Sequence, residues 1–232
     1  MPTKMKDVEY TGTGNSPLRQ AAIDSILNGD IVIDVGCRMG GWIRPRYDQG
    51  WSGKELYTVG IDPIWHNISD LFSLYVNYAI GPEDRDDMVY HIVANEPGCN
   101  SLLPPSEELL ATQLVGGQLR SAGPAEKVQQ RRLDTVLKEA GFTPGESTVH
   151  YLKTDCQGAD FSAVQSMGEF LKDTRYVEME IGLDPENPFY VGAERAEDVI
   201  AGMESLGFKL IEFVNFPVSP LPEGELFFKR NS

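Results

Sequence analysis

An acid and two glycines mark the first strongly apolar segment of the chain, Ile31–Val35. Asp34 lies within that segment, and Gly36 and Gly40 follow it. An apolar run that leads into a glycine turn and then a helical pattern is typical of a buried parallel strand at a nucleotide-like cofactor site. The glycines lack the G-x-G-x-x-G spacing of a dinucleotide-binding loop, and the acid would repel phosphates. The pattern therefore predicts a site for a cationic, phosphate-free ligand such as S-adenosylmethionine.

A second acid, Asp62, ends the next apolar run, at 56–61. In doubly wound sheets an acid at the tip of the second strand receives the ribose hydroxyls, because one carboxylate accepts two hydrogen bonds from a diol. The pair Asp62-Pro63 by itself would indicate only a turn. Together with the glycine loop, it indicates the ribose end of the same cofactor site.

A third group of polar residues stands where a later apolar strand, at 149–155, meets its loop. Lys153, Asp155 and Gln157 place an ammonium, a carboxylate and an amide near the carboxyl end of a central strand, where open α/β sheets bind ligands. Lys153 and Asp155 share one face of the strand. A buried lysine is costly unless it is paired, so an ion pair of Lys153 with Asp155 or Glu180 that only orders the loop is the alternative interpretation.

The elements that position these residues alternate between strand and helix. We expect helices at 16–29, from about 39, and at 64–72, 134–141, 160–171 and 194–206. We expect strands at 30–35, 56–61, 74–80, 88–93, 127–133, 149–155, 175–181, 208–214 and 225–229. The alternation predicts a mostly parallel α/β sheet in which the last two strands form an antiparallel pair at the edge. The charged turn 81–87 predicts a hairpin between 74–80 and 88–93.

The length of 232 residues fits one domain over 1–232. Residues 1–15 are polar and are expected to form a flexible N-terminal segment. The segment 95–125 carries Pro, Gly and Ser clusters without a firm period, and loops of this length tend to be functional. It is predicted to act as a lid or substrate loop.

The composition limits the partners. Lys and Arg number 20 against 35 Asp and Glu, a net charge of -15, with a pI of about 4.6. Such an acidic surface disfavours nucleic acid and anionic membranes and favours a small-molecule or saccharide substrate. The three cysteines form no CxxC pair, which argues against zinc and a disulfide framework. The N-terminus lacks a signal-peptide pattern and no long apolar run occurs, so a cytoplasmic location is expected.

Several motifs occur in an order that resembles the FkbM-type S-adenosylmethionine-dependent methyltransferases. They are Ile33-Asp34-Val35-Gly36 with Gly40, Gly60-Ile61-Asp62-Pro63, Ser101-Leu102, Arg132 to Leu137, and Leu152 to Asp160. The late Glu178-Met179-Glu180, Tyr190 and Leu206-Gly207-Phe208 fit the same pattern, so the resemblance covers about 30–215. It implies a Rossmann-like class I methyltransferase fold with a seven-stranded sheet and an inserted hairpin and loop region. It also implies O-methylation of a hydroxyl on a sugar, polyketide or similar natural product; a homodimer is left open.

The resemblance also assigns positions to the cofactor. Asp34, Gly36 and Gly40 would line its methionine end and Asp62 would take the ribose hydroxyls. Ala79 and Ile80, at the end of the third strand, would face the adenine, and Asn100 and Ser101 would approach the cofactor from the long loop. The residues expected at the cofactor are Asp34, Gly36, Cys37, Arg38, Gly40, Asp62, Pro63, Ala79, Ile80, Asn100, Ser101, Asp155 and Gln157.

Two positions depart from the family pattern. Arg38 stands where the family often has Asn; its guanidinium could bind the methionine carboxylate bidentately or point outward. Gln157 stands where the family often has Glu, in Asp-Val-Glu-Gly, and an amide cannot act as a base. Asp155 therefore becomes the candidate base for the acceptor proton.

Lys153 and His66 complete the predicted catalytic group. His66 follows Asp62 closely and could cover the pocket, whereas His91 and His150 lie inside predicted strands and are expected to be structural. A carboxylate such as Asp155 could hold a divalent metal, but the pattern requires none. Two other classes share the fold: an NAD-dependent dehydrogenase, disfavoured by the glycine spacing, and a non-catalytic binding protein, disfavoured by Lys153 and Asp155.

Overall fold

The computed structural model describes residues 16–46, 51–64, 66–113, 117–216 and 222–231. Its strands are β1 (Ile31–Val35), β2 (Tyr57–Ile61), β3 (Leu74–Val76), β4 (Ala79–Ile80), β5 (Arg85–Tyr90), β6 (Glu126–Arg131), β7 (Val149–Thr154), β8 (Thr174–Gly182), β9 (Phe208–Asn215) and β10 (Glu223–Arg230). Its α-helices are α1 (Pro17–Asp24), α2 (Ile43–Arg46), α3 (Glu107–Ala111), α4 (Leu133–Glu139), α5 (Asp160–Gln165) and α6 (Ala196–Ser205). Short 3₁₀ helices cover Ser69–Leu71, Pro97–Cys99 and Gly168–Asp173.

The main sheet has seven strands in the order β3-β2-β1-β7-β8-β10-β9. All neighbours are parallel except β10, which runs antiparallel to both β8 and β9. The predicted Rossmann-like α/β fold with an antiparallel pair at one edge is confirmed. The strand order reverses between β1 and β7, and at such a switch point the loops after the two strands diverge and leave a crevice.

Side chains of the sheet alternate between two apolar layers. Ile31, Ile33 and Val35 pack on one face, whereas Val32 and Tyr151 pack on the other with α1. Helix α1 begins as predicted, because the Ser16 hydroxyl accepts a hydrogen bond from the Arg19 amide and Pro17 occupies the first turn. No helix among the described residues is long and apolar enough to cross a bilayer.

The predicted hairpin between 74–80 and 88–93 is wrong. The segment 74–80 divides into β3, in the main sheet, and β4, in a second sheet of order β4-β6-β5. Strand β6 lies between the other two, parallel to β4 and antiparallel to β5. The Gln130 side chain of β6 fills the space beside Gly81 and donates to the Glu83 carbonyl, 2.7 Å away, so the turn wraps around β6.

The helix predicted at 64–72 is reduced to the 3₁₀ turn Ser69–Leu71. Side chains satisfy the backbone groups that a helix would use: Asp62 Oδ1 accepts from the Ile64 amide and the Tyr75 hydroxyl accepts from the His66 amide. Helices α4 and α5 begin within one residue of the predicted positions, with Asp134 and Asp160 in their first turns.

Candidate functional site

The loop after β1 is pressed against the loop after β7. Gly36 has a φ of 73°, and a Cβ at this position would overlap the carbonyl oxygen of Asp155. The Asp155 amide in turn donates to the Val35 carbonyl, 3.0 Å away. Only glycine combines this left-handed backbone with such a close approach. The glycine therefore fixes the distance between the two loops at the switch point.

A cavity of about 130 Å³ opens beside these loops, at the carboxyl ends of β1, β2 and β7. The structure brings together most of the residues that the sequence assigned to the site. Those that line the cavity are Gly36, Arg38, Asp62, Pro63, His66, Ala79, Ile80, Asn100, Asp155 and Gln157.

The remaining five predicted residues lie behind the cavity wall. Asp34 and Lys153 are adjacent across β1 and β7, and both side chains are buried. The Cys37 thiol packs into the core and burial raises its pKa, so it stays protonated. Gly40, with a φ of 71°, leaves room for Leu71. Ser101 is buried between the long loop and the loop after β7.

Asp62 is held at the tip of β2 by backbone donors. Its Oδ2 accepts from the Arg38 amide and its Oδ1 accepts from the Ile64 amide, each at 2.9 Å. His66 Nε2 lies 3.5 Å from Oδ1. Burial raises the pKa of Asp62, and these hydrogen bonds oppose that rise. Each carboxylate oxygen keeps a further lone pair for a ligand hydroxyl.

The Arg38 side chain points across the cavity rim. Its guanidinium is 46% exposed, with Nη2 3.5 Å from Glu96 Oε1, and it occupies the space that a Cβ at Gly98 would need. Arg38 itself has a φ of 41°. The outward orientation that the sequence left open is thus the one found, and the residue closes the cavity against the Pro97–Cys99 turn.

The long loop is attached to the site by side chains. Asn100 Oδ1 accepts from the Val93 amide at 2.8 Å, and the Ser101 hydroxyl donates to the Gln157 carbonyl at 2.9 Å. The Tyr190 hydroxyl donates to the Cys99 carbonyl, also at 2.9 Å. Part of the segment 95–125 therefore folds directly over the loop after β7, while 114–116 lie outside the described residues.

Gln157 is the centre of a hydrogen-bonded chain. Its backbone has a φ of 52°. Its side-chain amide donates to Asp155 Oδ1 at 2.7 Å and to Glu180 Oε1 at 2.8 Å. The side-chain oxygen of Gln157, Oε1, lies 2.7 Å from the Tyr190 hydroxyl. The amide thus bridges two carboxylates that would otherwise repel each other.

Lys153 supplies the positive charge beneath this chain. Its Nζ donates to the Thr154 carbonyl at 2.8 Å and lies 3.9 Å from Asp155 Oδ2. Burial alone would lower the pKa of Lys153, but Asp155 and three glutamates raise it, so the ammonium stays charged. Of the two ion pairs considered from the sequence, the one with Asp155 is formed.

Asp34 is the acid that the site leaves protonated near neutral pH. Burial raises its pKa to about 8, and the charges of Asp155, Glu178 and Asp62 add to the rise while Lys153 opposes it. Its Oδ2 is buried and has no hydrogen-bond partner among the described residues.

The three histidines differ in their surroundings. His66 lines the cavity. His91 pairs through its backbone with Ser101, as expected for a structural residue. His150 is fully buried with Nδ1 3.2 Å from Asp30 Oδ2, and burial lowers its pKa.

The sequence reading missed two aromatic side chains of the cavity, Tyr78 and Tyr90. The Tyr90 hydroxyl donates to the Asn100 carbonyl at 3.3 Å. Tyr78 directly precedes β4, and Tyr90 ends β5. Both residues lie beside strands that were predicted to form a hairpin. A correct pairing of β4, β5 and β6 would have indicated that both side chains lie at the cavity.

A second cavity, of about 480 Å³, adjoins the first on the far side of Gln157. Its walls come from the end of β8, the segment 183–195 and the first turn of α6. Gln157 lines both cavities. The described residues contain no group of three or more His, Cys, Asp or Glu side chains arranged to hold a metal ion.

Comparison with protein families gives one match. The model described as "Methyltransferase FkbM domain" matches residues 34–210. This span begins near the end of β1 and includes β7 and Gln157, which lines both cavities. A comparison of the sequence with curated proteins gives no match.

Solved structures with a similar arrangement are distant in sequence. A methyltransferase FkbM from Methylobacillus flagellatus KT is 8% identical with a TM-score of 0.48, and the alignment covers 87% of this chain and 44% of that one. The chain thus spans less than half of that protein. Magnesium protoporphyrin IX methyltransferase from Synechocystis PCC 6803, crystallised with SAM, is 14% identical with a TM-score of 0.42; the alignment covers 95% of this chain and 87% of that one.

Proposed function

Because the chain belongs to the methyltransferase FkbM family, we propose that it moves the methyl group of S-adenosylmethionine to a hydroxyl of a small acceptor, such as a sugar or a polyketide. The observation that carries the proposal is the position of Asp155. Its carboxylate lines the cavity at the switch point, and its partner Gln157 also lines the second cavity. A base between two adjoining cavities suits a reaction that brings two ligands together.

The residues of the first cavity fit the methyl donor. Asp62 keeps lone pairs for the two ribose hydroxyls, and the buried pair Ala79 and Ile80 offers an apolar surface to the adenine. Gly36 and Gly98 also line this cavity. S-adenosylmethionine supplies an electrophilic methyl group on a sulfonium, and the acidic wall with Asp62 and Asp155 suits that cation.

Asp155 would accept the proton of the acceptor hydroxyl. Its Oδ1 is occupied by the Gln157 amide, so Oδ2 is the oxygen available for the proton. Lys153, 3.9 Å from Oδ2, would orient the carboxylate through their ion pair, acting as a positioning residue. The acceptor oxygen forms the new bond to carbon, the donor sulfur keeps the electron pair of the broken bond, and the proton passes to Asp155.

The remaining parts of the chain have roles consistent with this scheme. We propose that 1–232 forms one domain and that the segment 95–125 acts as a lid over the bound cofactor. His66 would cover the ribose end of the cavity. Residues 1–15 lie outside the described residues.

Calorimetry with S-adenosylmethionine, S-adenosylhomocysteine and NAD tests the cofactor, and transfer of a radiolabelled methyl group to a panel of hydroxylated acceptors tests the reaction. S-adenosylhomocysteine should stabilise the protein by about 2.7 kcal/mol at ~100-fold excess over its Kd. Binding of NAD without S-adenosylhomocysteine would contradict the proposal in favour of a dehydrogenase. Cofactor binding without transfer to any hydroxyl would favour a non-catalytic protein.

A further inference from the structure

Most of the charged side chains that line the second cavity are acidic, and we refer to this cavity as the acidic pocket. One cation, Arg195, lies among its lining residues, and that side chain is exposed. Its acids are Glu180, Asp184, Glu194, Glu197, Asp198 and Glu223. This cavity of about 480 Å³ contacts the proposed base through Gln157, and the proposed function does not yet use it.

Four of these acids stabilise a turn or the start of a helix. Glu194 accepts from the Phe161 and Ser162 amides at the start of α5, at 2.7 and 2.8 Å. Asp184 accepts from the amides of a tight turn, including that of Glu186 at 3.0 Å. Glu197 and Asp198 lie in the first turn of α6, where negative charge is favourable. Their local contacts explain why these four residues are acidic, whether or not the pocket binds a ligand.

Glu180 contacts the residue that lines both cavities. Its Oε1 accepts from the Gln157 amide, and the carboxylate lies at the inner end of the pocket beside the proposed base. Glu223 reaches the same end, because it pairs with Gly182 in the β8–β10 ladder and so shares a face with Glu180. In the described part of the chain the nearby ammonium of Lys153 pairs with Asp155, and no cation pairs with Glu180.

The close approach of these acids affects the pKa of Glu180. Burial raises the pKa of Glu180 well above its usual range, and the charges of Asp155 and Glu223 raise it further. Carboxyls that raise one another's pKa in this way are stabilised when a cation enters between them. The described residues offer no metal-binding group of three acids, cysteines or histidines, so an organic cation fits the pocket better than a metal ion.

We propose that the acidic pocket binds the methyl acceptor, and that the acceptor carries a protonated amine which Glu180 and Glu223 recognise while a neighbouring hydroxyl faces Asp155. The acceptor class is therefore an amino sugar or another amine-substituted polyol. This inference rests on the proposed function, and it narrows a substrate class that the family membership leaves wide.

Binding of three sugars to the S-adenosylhomocysteine-loaded protein tests the inference, followed by amide chemical shifts in the NMR spectrum. D-glucosamine is the charged probe, and D-glucose and N-acetyl-D-glucosamine are the neutral ones. Glucosamine should bind about tenfold or more tightly than either neutral sugar, because a charge-assisted contact adds about 1.5 kcal/mol or more. Its shifts should map to Gly158, Gly182 and Ala193, around the acidic pocket.

Removal of one charge gives the matched test. Glu180→Gln should reduce glucosamine affinity about tenfold, toward that of glucose, with the affinity for S-adenosylhomocysteine unchanged. Glu186→Gln changes an exposed acid on the same segment but outside the pocket, and should leave both affinities as they are. If Glu180→Gln does not fold, Glu223→Gln and the salt dependence of glucosamine binding to the wild type provide the same comparison.

The outcomes separate the two proposals. Equal affinities for the charged and neutral sugars, or shifts confined to other surfaces, would overturn the amine-binding assignment while leaving methyl transfer intact. A protein that binds glucosamine in the acidic pocket but does not bind S-adenosylhomocysteine would overturn the proposed function instead. Methylation on nitrogen in the product would show that the amine, and not the hydroxyl, faces Asp155, and would also contradict the inference.

Discussion

The two cavities that meet at Gln157 are built in different ways. The first is centred on a backbone contact at strand ends, where the loops after β1 and β7 touch through Gly36 and Asp155, and side chains such as Asp62 and Tyr90 complete its lining. The acidic pocket is formed by side chains from segments far apart in sequence, at 157–158, 180–198 and 223. A backbone site is fixed by the fold, whereas the charge of a side-chain site can change without altering the sheet.

This difference assigns a separate task to each cavity. The first would hold a cofactor shared by the whole family, and the second would select the acceptor. Substitutions around the first should therefore affect stability and cofactor binding together. Substitutions around the second should affect acceptor binding alone, and Asp155, at the junction, should affect the reaction more than either binding step.

Asp155→Asn should produce the largest effect. We expect methyl transfer to fall by about 10²–10⁴-fold, the usual scale for loss of a general base, with the Kd for S-adenosylhomocysteine unchanged. Asn keeps the shape and an acceptor oxygen for the Gln157 amide, so the loop should survive. Single-turnover rates and calorimetry on the same sample check both parts. A loss of cofactor affinity with little change in rate would make Asp155 a cofactor ligand instead.

Gly36→Ala should destabilise the fold by about 2–4 kcal/mol, since the methyl group meets the Asp155 carbonyl and the backbone is left-handed. Gly29→Ala is the matched control. Gly29 has a φ of 86° but open space around its Cβ position, so only the backbone term of about 1 kcal/mol applies. Urea unfolding of both variants separates strain from contact. Equal losses would show that the two loops do not press on each other.

Asp62→Ala should weaken binding of S-adenosylhomocysteine by about 1–3 kcal/mol, through loss of charge-assisted hydrogen bonds to the ribose. Asp70→Ala, an exposed acid in the following 3₁₀ turn, should have no effect. Calorimetry of the two folded variants checks the difference. An unchanged Kd in Asp62→Ala would show that Asp62 only orders the turn, by accepting hydrogen bonds from the Arg38 and Ile64 amides.

The part of the site that could be predicted from sequence corresponds to the first cavity. Gly36, Asp62 and Asp155 follow directly after apolar strands, so their meeting at one sheet edge follows from parallel topology. Asp34 was placed with them, but alternation along β1 turns its side chain away from the cavity, toward Lys153. The acidic pocket could not be predicted, because it depends on how β10 pairs with β8 and how 183–195 folds back over the sheet.

Asp34 should give the wild type a pH-dependent stability term of about 1 kcal/mol per pH unit. Its pKa is about 8 in the fold, against 3.8 for the ordinary side chain, so between these values the folded state holds a proton that the unfolded state has lost. The free energy of unfolding therefore falls as pH rises from about 4 to about 8. Asp34→Asn removes this slope, and urea titrations at several pH values compare the two proteins. Equal slopes would place the ionisation of Asp34 outside this range.

Ser101→Ala should have the smallest effect, about 1 kcal/mol, and it addresses the loop that lines the first cavity. The Ser101 hydroxyl donates to the Gln157 carbonyl and accepts from the Leu103 amide, at 2.9 and 3.0 Å, so its loss detaches the loop from the residue that joins the cavities. Limited proteolysis should cut the segment 95–125 faster in this variant than in the wild type, and S-adenosylhomocysteine should slow cutting in the wild type. Ser121→Ala, at an exposed position of the same loop, is the control. Cutting rates that respond neither to the Ser101 substitution nor to the ligand would contradict a lid and would leave the first cavity as a rigid site formed by the strand ends alone.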